Sequence, residues 1–243
     1  MSTQPDTIKM IAIDIDGTLL TPQKQISPRT QATIRDAQEA GIVVTLATAR
    51  RYINSKHFAD LLGISIPLIT CDGALILDHP AGVVRHTQLL PAELAQQTVD
   101  ILVAHRLQPV IHHIAGAAEQ TWSGHAEFDN LGLEGYFREF PADQRLPHNL
   151  LCLGQPDPIR VVAFASEEAI GRVAPVIAEL PCAWNTIERG NYGCAELTVM
   201  QHSCSKATGV AILAKHLGIP MTQVMAIGDN NNDREMIEAA GWE

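Results

Sequence analysis

The sequence predicts an α/β protein: a doubly wound, Rossmann-like core on a parallel sheet, with an inserted α+β domain. Three observations predict it. Short continuous apolar runs alternate with helical patterns in both terminal thirds of the 243 residues, as expected for strands covered on both faces. The middle of the chain changes character, mixing helical patterns with alternating strands. Polar residues able to do chemistry follow the carboxyl ends of the apolar runs, where open parallel sheets place their ligands.

Residues 8–13 are continuous and Ile-rich, and read as a buried strand. Ser27-Pro28 is a helix start, with Ser as N-cap and Pro at the first helical position. That helix should run to about Ala40, with Gly41 beyond its end. Ile42–Ala47 is the second strand, about Ile53–Leu62 a helix stopped by Gly63, and Pro67–Thr70 the third strand. Ala74–Asp78 and Gly82–Gln88 suit a hairpin turning at His79-Pro80. Helical patterns at Ala92–His105 and Glu167–Leu180 then mix with strands at Leu107–Ile114 and Ile159–Ala165, while residues 141–158 look like a Pro-rich loop. The core pattern resumes at Cys204 or Ser205, which opens a helix with Val210, Leu213 and Leu217 on its apolar face; Gly218 and Pro220 end it. Val224–Ile227 is the fourth strand and Asp233–Ala240 the last helix. The expected division is a core of residues 1–88 and 191–243 around an insert of residues 89–190.

Composition excludes several classes. The formal net charge is −10, so no basic surface for nucleic acid is expected. Hydrophobic residues make up 46% and aromatic residues 5%, so aliphatic side chains must fill the cores. Five cysteines without a C-x-x-C pair point to reduced thiols and a cytoplasmic protein. The polar N-terminus shows no signal peptide, and no apolar run reaches the roughly 20 residues of a membrane helix.

The chemistry lies in two acidic runs, Asp14-Ile-Asp16-Gly17-Thr18 and Gly228-Asp229-Asn230-Asn231-Asn232-Asp233. Each follows an apolar strand. With Thr48 and Asp72, they place polar groups past the ends of four strands, and Lys206 begins a helix where an anion is favoured. On an extended backbone the side chains of Asp14 and Asp16 would point the same way. So many carboxylates repel unless a cation intervenes, and hard oxygen ligands suit Mg²⁺ beside a phosphoryl group. The run from Asp229 is no EF-hand: Arg234 stands where Gly is needed and Ala240 where Glu is needed. His112, His113 and His125 match no usual zinc spacing.

These motifs, I-A-I-D-I-D-G-T-L-L (11–20), L-A-T-A-R (46–50), D-G-A (72–74), S-K-A-T-G-V-A (205–211) and A-I-G-D-N-N-N-D-R-E-M-I (226–237), resemble the haloacid dehalogenase superfamily. The nearest branch is its Cof-type sugar phosphatases with a large inserted cap. The resemblance implies a Mg²⁺-dependent phosphatase of small phosphorylated metabolites, working through a phospho-aspartate. It makes Asp14 the nucleophile and Asp16 the general acid and base. Gly17, Thr18, Thr48, Arg50, Asp72, Gly73, Lys206 and Asn232 would surround the phosphoryl group. Asp14, Asp16 (through its carbonyl), Asp229 and Asp233 would hold the metal. The alternatives are a phosphomutase with the same intermediate and a non-catalytic metabolite-binding protein. Asp72 departs from the family's usual Asn, and would weaken substrate binding or face solvent. The family usually continues past this chain's last residue with another strand and helix, whose loss would leave the fourth strand as a sheet edge, an aggregation liability. Trp122, His112, His113, His125, Trp184 and Asn191 are the insert's candidates to face a leaving group. The sequence leaves the oligomeric state open.

Overall fold

A computed structural model describes residues 7–115, 118–188, 190 and 192–242. The chain divides into two units, Met1–Thr87 with Cys204–Glu243, and Gln88–Ser203.

The first unit begins with β1 (Met10–Ile13), α1 (Pro28–Glu39), β2 (Val43–Leu46), α2 (Lys56–Leu61), β3 (Leu68–Thr70), β4 (Leu75–Leu77) and β5 (Val84–Thr87). Ser27 caps α1 as expected, its hydroxyl accepting from Thr30 N–H at 3.0 Å. The second unit contains α3 (Ala92–Ala104), β6 (Pro109–Ala115), β7 (Ala118–Gly124), α4 (Leu131–Glu139), β8 (Gln144–Leu146), β9 (Arg160–Ala165), α5 (Glu167–Ile177), β10 (Cys182–Ile187) and β11 (Ala195–Gln201). The chain then returns to the first unit with α6 (Lys206–His216), β12 (Val224–Ile227) and α7 (Arg234–Ala239).

In the first unit β1 lies between β12 and β2, parallel to both. A parallel bridge from Ala47 to Ile69 carries the order on to β3, after which β4 and β5 pair antiparallel. Alternation along β1 builds the two layers. Ile11 and Ile13 join Ile34 of α1 and Phe58 of α2, while Met10 and Ala12 join Val210 and Leu213 of α6 and Met236 of α7. β12 stands at the edge of this sheet, as expected, with one bridge on its outer side. On the side away from β1, Trp242 N–H donates to Val224 O at 3.2 Å, and Ala226 N–H donates to Trp242 O at 3.1 Å.

The second unit is a six-stranded sheet of order β10-β11-β9-β6-β7-β8. Ile111 of β6 packs with α3 and α5 on one face; Val110 packs with Leu133 and Tyr136 of α4 on the other. The expected return to the core at residue 191 falls short. β11 pairs along its length with β10 and with β9, so this unit extends to Ser203. The loop expected over residues 141–158 contains β8 and a short 3-10 turn at His148–Leu150. Among the described residues no disulfide joins the cysteines, and no helix is long and apolar enough to cross a membrane.

Candidate active site

The site gathers at the carboxyl ends of β1, β2, β3 and β12. Asp14 follows β1 directly and is 4% exposed. Its Oδ1 accepts from Lys206 Nζ at 2.7 Å, and the same ammonium donates to Asp233 Oδ1 at 2.6 Å. Lys206 is the first residue of α6, fixed by the capping box between Ser205 and Thr208. The other oxygen of Asp233 accepts from Asp229 N–H at 3.2 Å and from Asn230 N–H at 3.0 Å, so Asp233 organises the second acidic run.

Two glycines permit the close approaches. Gly17 has φ +84°, and a Cβ there would lie 2.1 Å from Asp229 Oδ2. Its neighbour Thr18 donates its hydroxyl to Asp229 Oδ1 at 2.9 Å. Gly73 has φ +92° and follows Cys71 and Asp72 at φ +51° and +54°, a left-handed run unfavourable for residues with side chains. A Cβ on Gly73 would sit 2.1 Å from Ser205 O, so this turn seats the start of α6. Cys204 Sγ donates to Asp72 O at 3.4 Å in the same place.

Thr48 ends β2. Its hydroxyl accepts from Arg50 N–H at 3.1 Å and keeps its own proton to donate. Its backbone ties β2 to β3 through Thr48 N–H to Ile69 O at 3.0 Å and Asp72 N–H to Thr48 O at 3.0 Å.

Two placements, those of Asp16 and Asp72, differ from expectation. Asp16 does not share a partner with Asp14. The strand ends at Ile13, and Asp16 lies in the turn Ile15–Leu19, where Arg50 grips both carboxylate oxygens, Nε to Oδ2 and Nη2 to Oδ1, each at 2.6 Å. Arg50 therefore engages Asp16, which sequence reasoning missed, because the contact joins two turns through the fold. Asp72 does not face solvent: it is 2% exposed, and its Oδ1 accepts from Asn232 Nδ2 at 2.9 Å. Of the insert's candidates, His112 is buried between Arg160 Nε at 2.9 Å and Tyr136 OH at 2.8 Å, and His113 is buried against Trp122 with ring centroids 4.0 Å apart. His125 is exposed and Trp184 lies on β10, whereas Asn191 falls outside the described residues.

Burial pushes the Asp14 carboxyl up to about 7; Lys206 opposes that shift and Asp233 adds to it. Burial alone would lower the Lys206 ammonium, but Asp14, Asp72 and Asp233 around it raise it above its usual value. The two shifts have different causes, burial for Asp14 and the surrounding carboxylates for Lys206. A single ammonium is shared among several carboxylates and cannot neutralise Asp14 by itself.

A further cation would complete this balance. Ligand atoms of Asp14, Asp229 and Asp233 all lie within 4.8 Å of one another, an all-oxygen set of the kind Mg²⁺ takes. The residues present fit the metal. The Asp16 carboxylate is not part of this group.

A family model described as haloacid dehalogenase-like hydrolase matches residues 11–243. The chain belongs to this family. This haloacid dehalogenase-like hydrolase is 26% identical to an HMP-PP phosphatase of Serratia proteamaculans, over 96% of the chain and 81% of the relative. It is 30% identical to a 5-amino-6-(5-phospho-D-ribitylamino)uracil phosphatase of Bacillus subtilis, over 96% and 82% respectively. Among solved structures, the haloacid dehalogenase phosphatase BT1666 of Bacteroides thetaiotaomicron superposes with a TM-score of 0.75 at 21% identity, covering 99% of this chain and 84% of that one. That likeness establishes the α/β core with its parallel sheet.

Proposed function

We propose that this hydrolase is a Mg²⁺-dependent phosphatase of small phosphorylated metabolites, sugar phosphates or similar, acting through a phospho-aspartate on Asp14. The observation that carries the reading is the buried Asp14–Lys206–Asp233 chain beside Asp229. A carboxylate kept from solvent next to a shared ammonium is arranged to meet an incoming anion rather than to support the core. The phosphatase names of the relatives favour the same chemistry.

In the first step an oxygen of Asp14 attacks phosphorus, and the bond from phosphorus to the ester oxygen breaks. The departing alkoxide takes a proton from Asp16. In the second step Asp16 draws a proton from water, whose oxygen attacks the same phosphorus and frees Asp14. Lys206 and the Thr48 hydroxyl would hold phosphoryl oxygens, with backbone amides near Gly17 and Thr18. Asp14, Asp229, Asp233 and the carbonyl of Asp16 would hold Mg²⁺, which supplies positive charge against the phosphoryl oxygens when bound. Asn232 and Asp72 support that wall of the site through their hydrogen bond. The inserted unit is the cap of this reading, and the cytoplasm its setting.

The test is phosphate release, with and without Mg²⁺, from sugar phosphates, other phosphorylated metabolites and p-nitrophenyl phosphate. Mg²⁺-dependent release that Asp14→Asn reduces by at least about a thousandfold is expected. Isomer interconversion without net phosphate, tight phosphate-mimic binding without turnover, or undiminished turnover in Asp14→Asn would each overturn the proposal.

A further inference from the structure

The Arg50–Asp16 pair bears on how the acid of the proposed phosphatase reaction is aimed. Resting on that phosphatase reading, we infer that Arg50 is the positioning residue for Asp16, directing the carboxyl group that protonates the leaving oxygen, and that it is not a phosphoryl ligand. Both oxygens of Asp16 accept from the guanidinium, and no other donor reaches that carboxylate among the described residues. A planar fork holding two oxygens fixes the plane of the group it grips, which a point charge cannot do.

Arg50 is itself anchored, its backbone carbonyl accepting from Cys71 N–H at 2.9 Å. Its backbone N–H is tied to Thr48 Oγ1 at 3.1 Å, and its guanidinium lies 5.3 Å from the centre of the buried Phe58 ring in α2. Asp16, by contrast, sits on a turn next to a glycine of φ +84°, with its side chain 43% exposed. Released from Arg50, a short side chain there would be free to spread over its staggered rotamers.

The paired form is the ionised one, which Asp16 adopts once its proton has gone to the leaving oxygen, and again as it takes a proton from water. Arg50 thus holds the product of the first proton transfer in place for the second. This matters only where the leaving oxygen needs a proton. A sugar alkoxide does. A p-nitrophenolate leaves without one.

The experiment compares wild type, Asp16→Asn, Arg50→Ala and Arg50→Lys, with Mg²⁺, on p-nitrophenyl phosphate and on a hexose or pentose phosphate that wild type turns over. Positioned general acids contribute about 10²–10⁴-fold. Arg50→Ala should lower kcat on the sugar phosphate at least about tenfold more than on p-nitrophenyl phosphate, with KM changed little on either. Asp16→Asn should show the same bias more strongly, and Arg50→Lys should restore part of the loss. An unchanged Mg²⁺-induced thermal shift in Arg50→Ala would report an intact fold and metal site. Equal losses on both substrates, or a loss confined to KM, would return Arg50 to the phosphoryl group. An unbiased Asp16→Asn would also overturn the inference. If wild type hydrolyses both substrates and only the Arg50 variants lack the bias, the positioning role alone falls. If wild type hydrolyses neither, the phosphatase reading falls and takes this inference with it.

Discussion

Asp14 is held between two opposing pressures, and pH can separate them. Its carboxyl is raised from 3.8 to about 7, mainly by burial. Between those values the folded protein keeps a proton that the unfolded chain has lost, so this group's stabilisation is complete below 3.8 and is lost as pH rises toward 7. Metal must displace that proton. The Mg²⁺-induced rise in melting temperature should therefore be larger at pH 8 than at pH 6, with apparent affinity falling about tenfold per pH unit on the acid side. Calorimetric titrations across that range check it, and Asp14→Asn should flatten the slope. Gly17→Ala tests the geometry independently. A methyl group there meets Asp229 Oδ2 at 2.1 Å and strains a backbone at φ +84°. It should cost on the order of 1–3 kcal/mol in urea unfolding and weaken Mg²⁺ binding at least about tenfold. At this scale the sequence was informative where residue type constrains chemistry. Asp14, Asp229, Asp233 and Lys206 could be placed together because each follows a strand or opens a helix. The grip of Arg50 on Asp16 could not, since arginines pair with many carboxylates and only the folded turns choose this one.

At the scale of elements, legibility followed burial. The strands of the first sheet are covered on both faces and read as continuous apolar runs, so β1, β2, β3 and β12 lie within the expected segments. β10 alternates half-buried with exposed positions, and β7 is polar through Glu119 and Gln120, so neither showed a clear run. α4 was missed for another reason. It contains Gly132 and Gly135, poor helix formers, and a Cβ at Gly132 would approach Cys194 Sγ to 2.3 Å. Tertiary packing thus outweighs propensity there. β6 also holds a group that makes the second sheet acid-sensitive. Burial lowers His113 from 6.5 to about 4. Between those values the unfolded chain binds a proton that the folded sheet refuses, so this contribution is present above pH 6.5 and is lost as pH falls toward 4. Chemical unfolding followed by tryptophan fluorescence, with Trp122 packed against His113, should show a loss on the order of 1–3 kcal/mol across that window. His113→Phe should remove this part of the pH dependence.

At the scale of the whole molecule, each unit has apolar clusters of its own. The cluster around Leu46 and Phe58 and that around Val210 and Met236 lie wholly within residues 1–87 and 204–243. Those around Ile111 and around Tyr136 lie wholly within residues 88–203. A unit that closes its own core can in principle fold alone. The insertion points suit its removal, because Ser203 Oγ donates to Gln88 Oε1 at 3.1 Å, bringing the two ends of the second unit together. Replacing residues 88–203 by a short Gly/Ser linker should therefore leave β12, β1 and β2 paired and the carboxylates of Asp14, Asp229 and Asp233 in reach of one another. The shortened chain is expected to melt cooperatively and to retain a Mg²⁺-induced thermal shift that Asp14→Asn weakens. It should also lose the acid sensitivity between pH 6.5 and 4 that belongs to His113. Differential scanning calorimetry at several pH values, with and without Mg²⁺, reads all three. A shortened chain that fails to fold, or that folds without a metal response, would mean that the first unit depends on the insert for more than its covalent continuity.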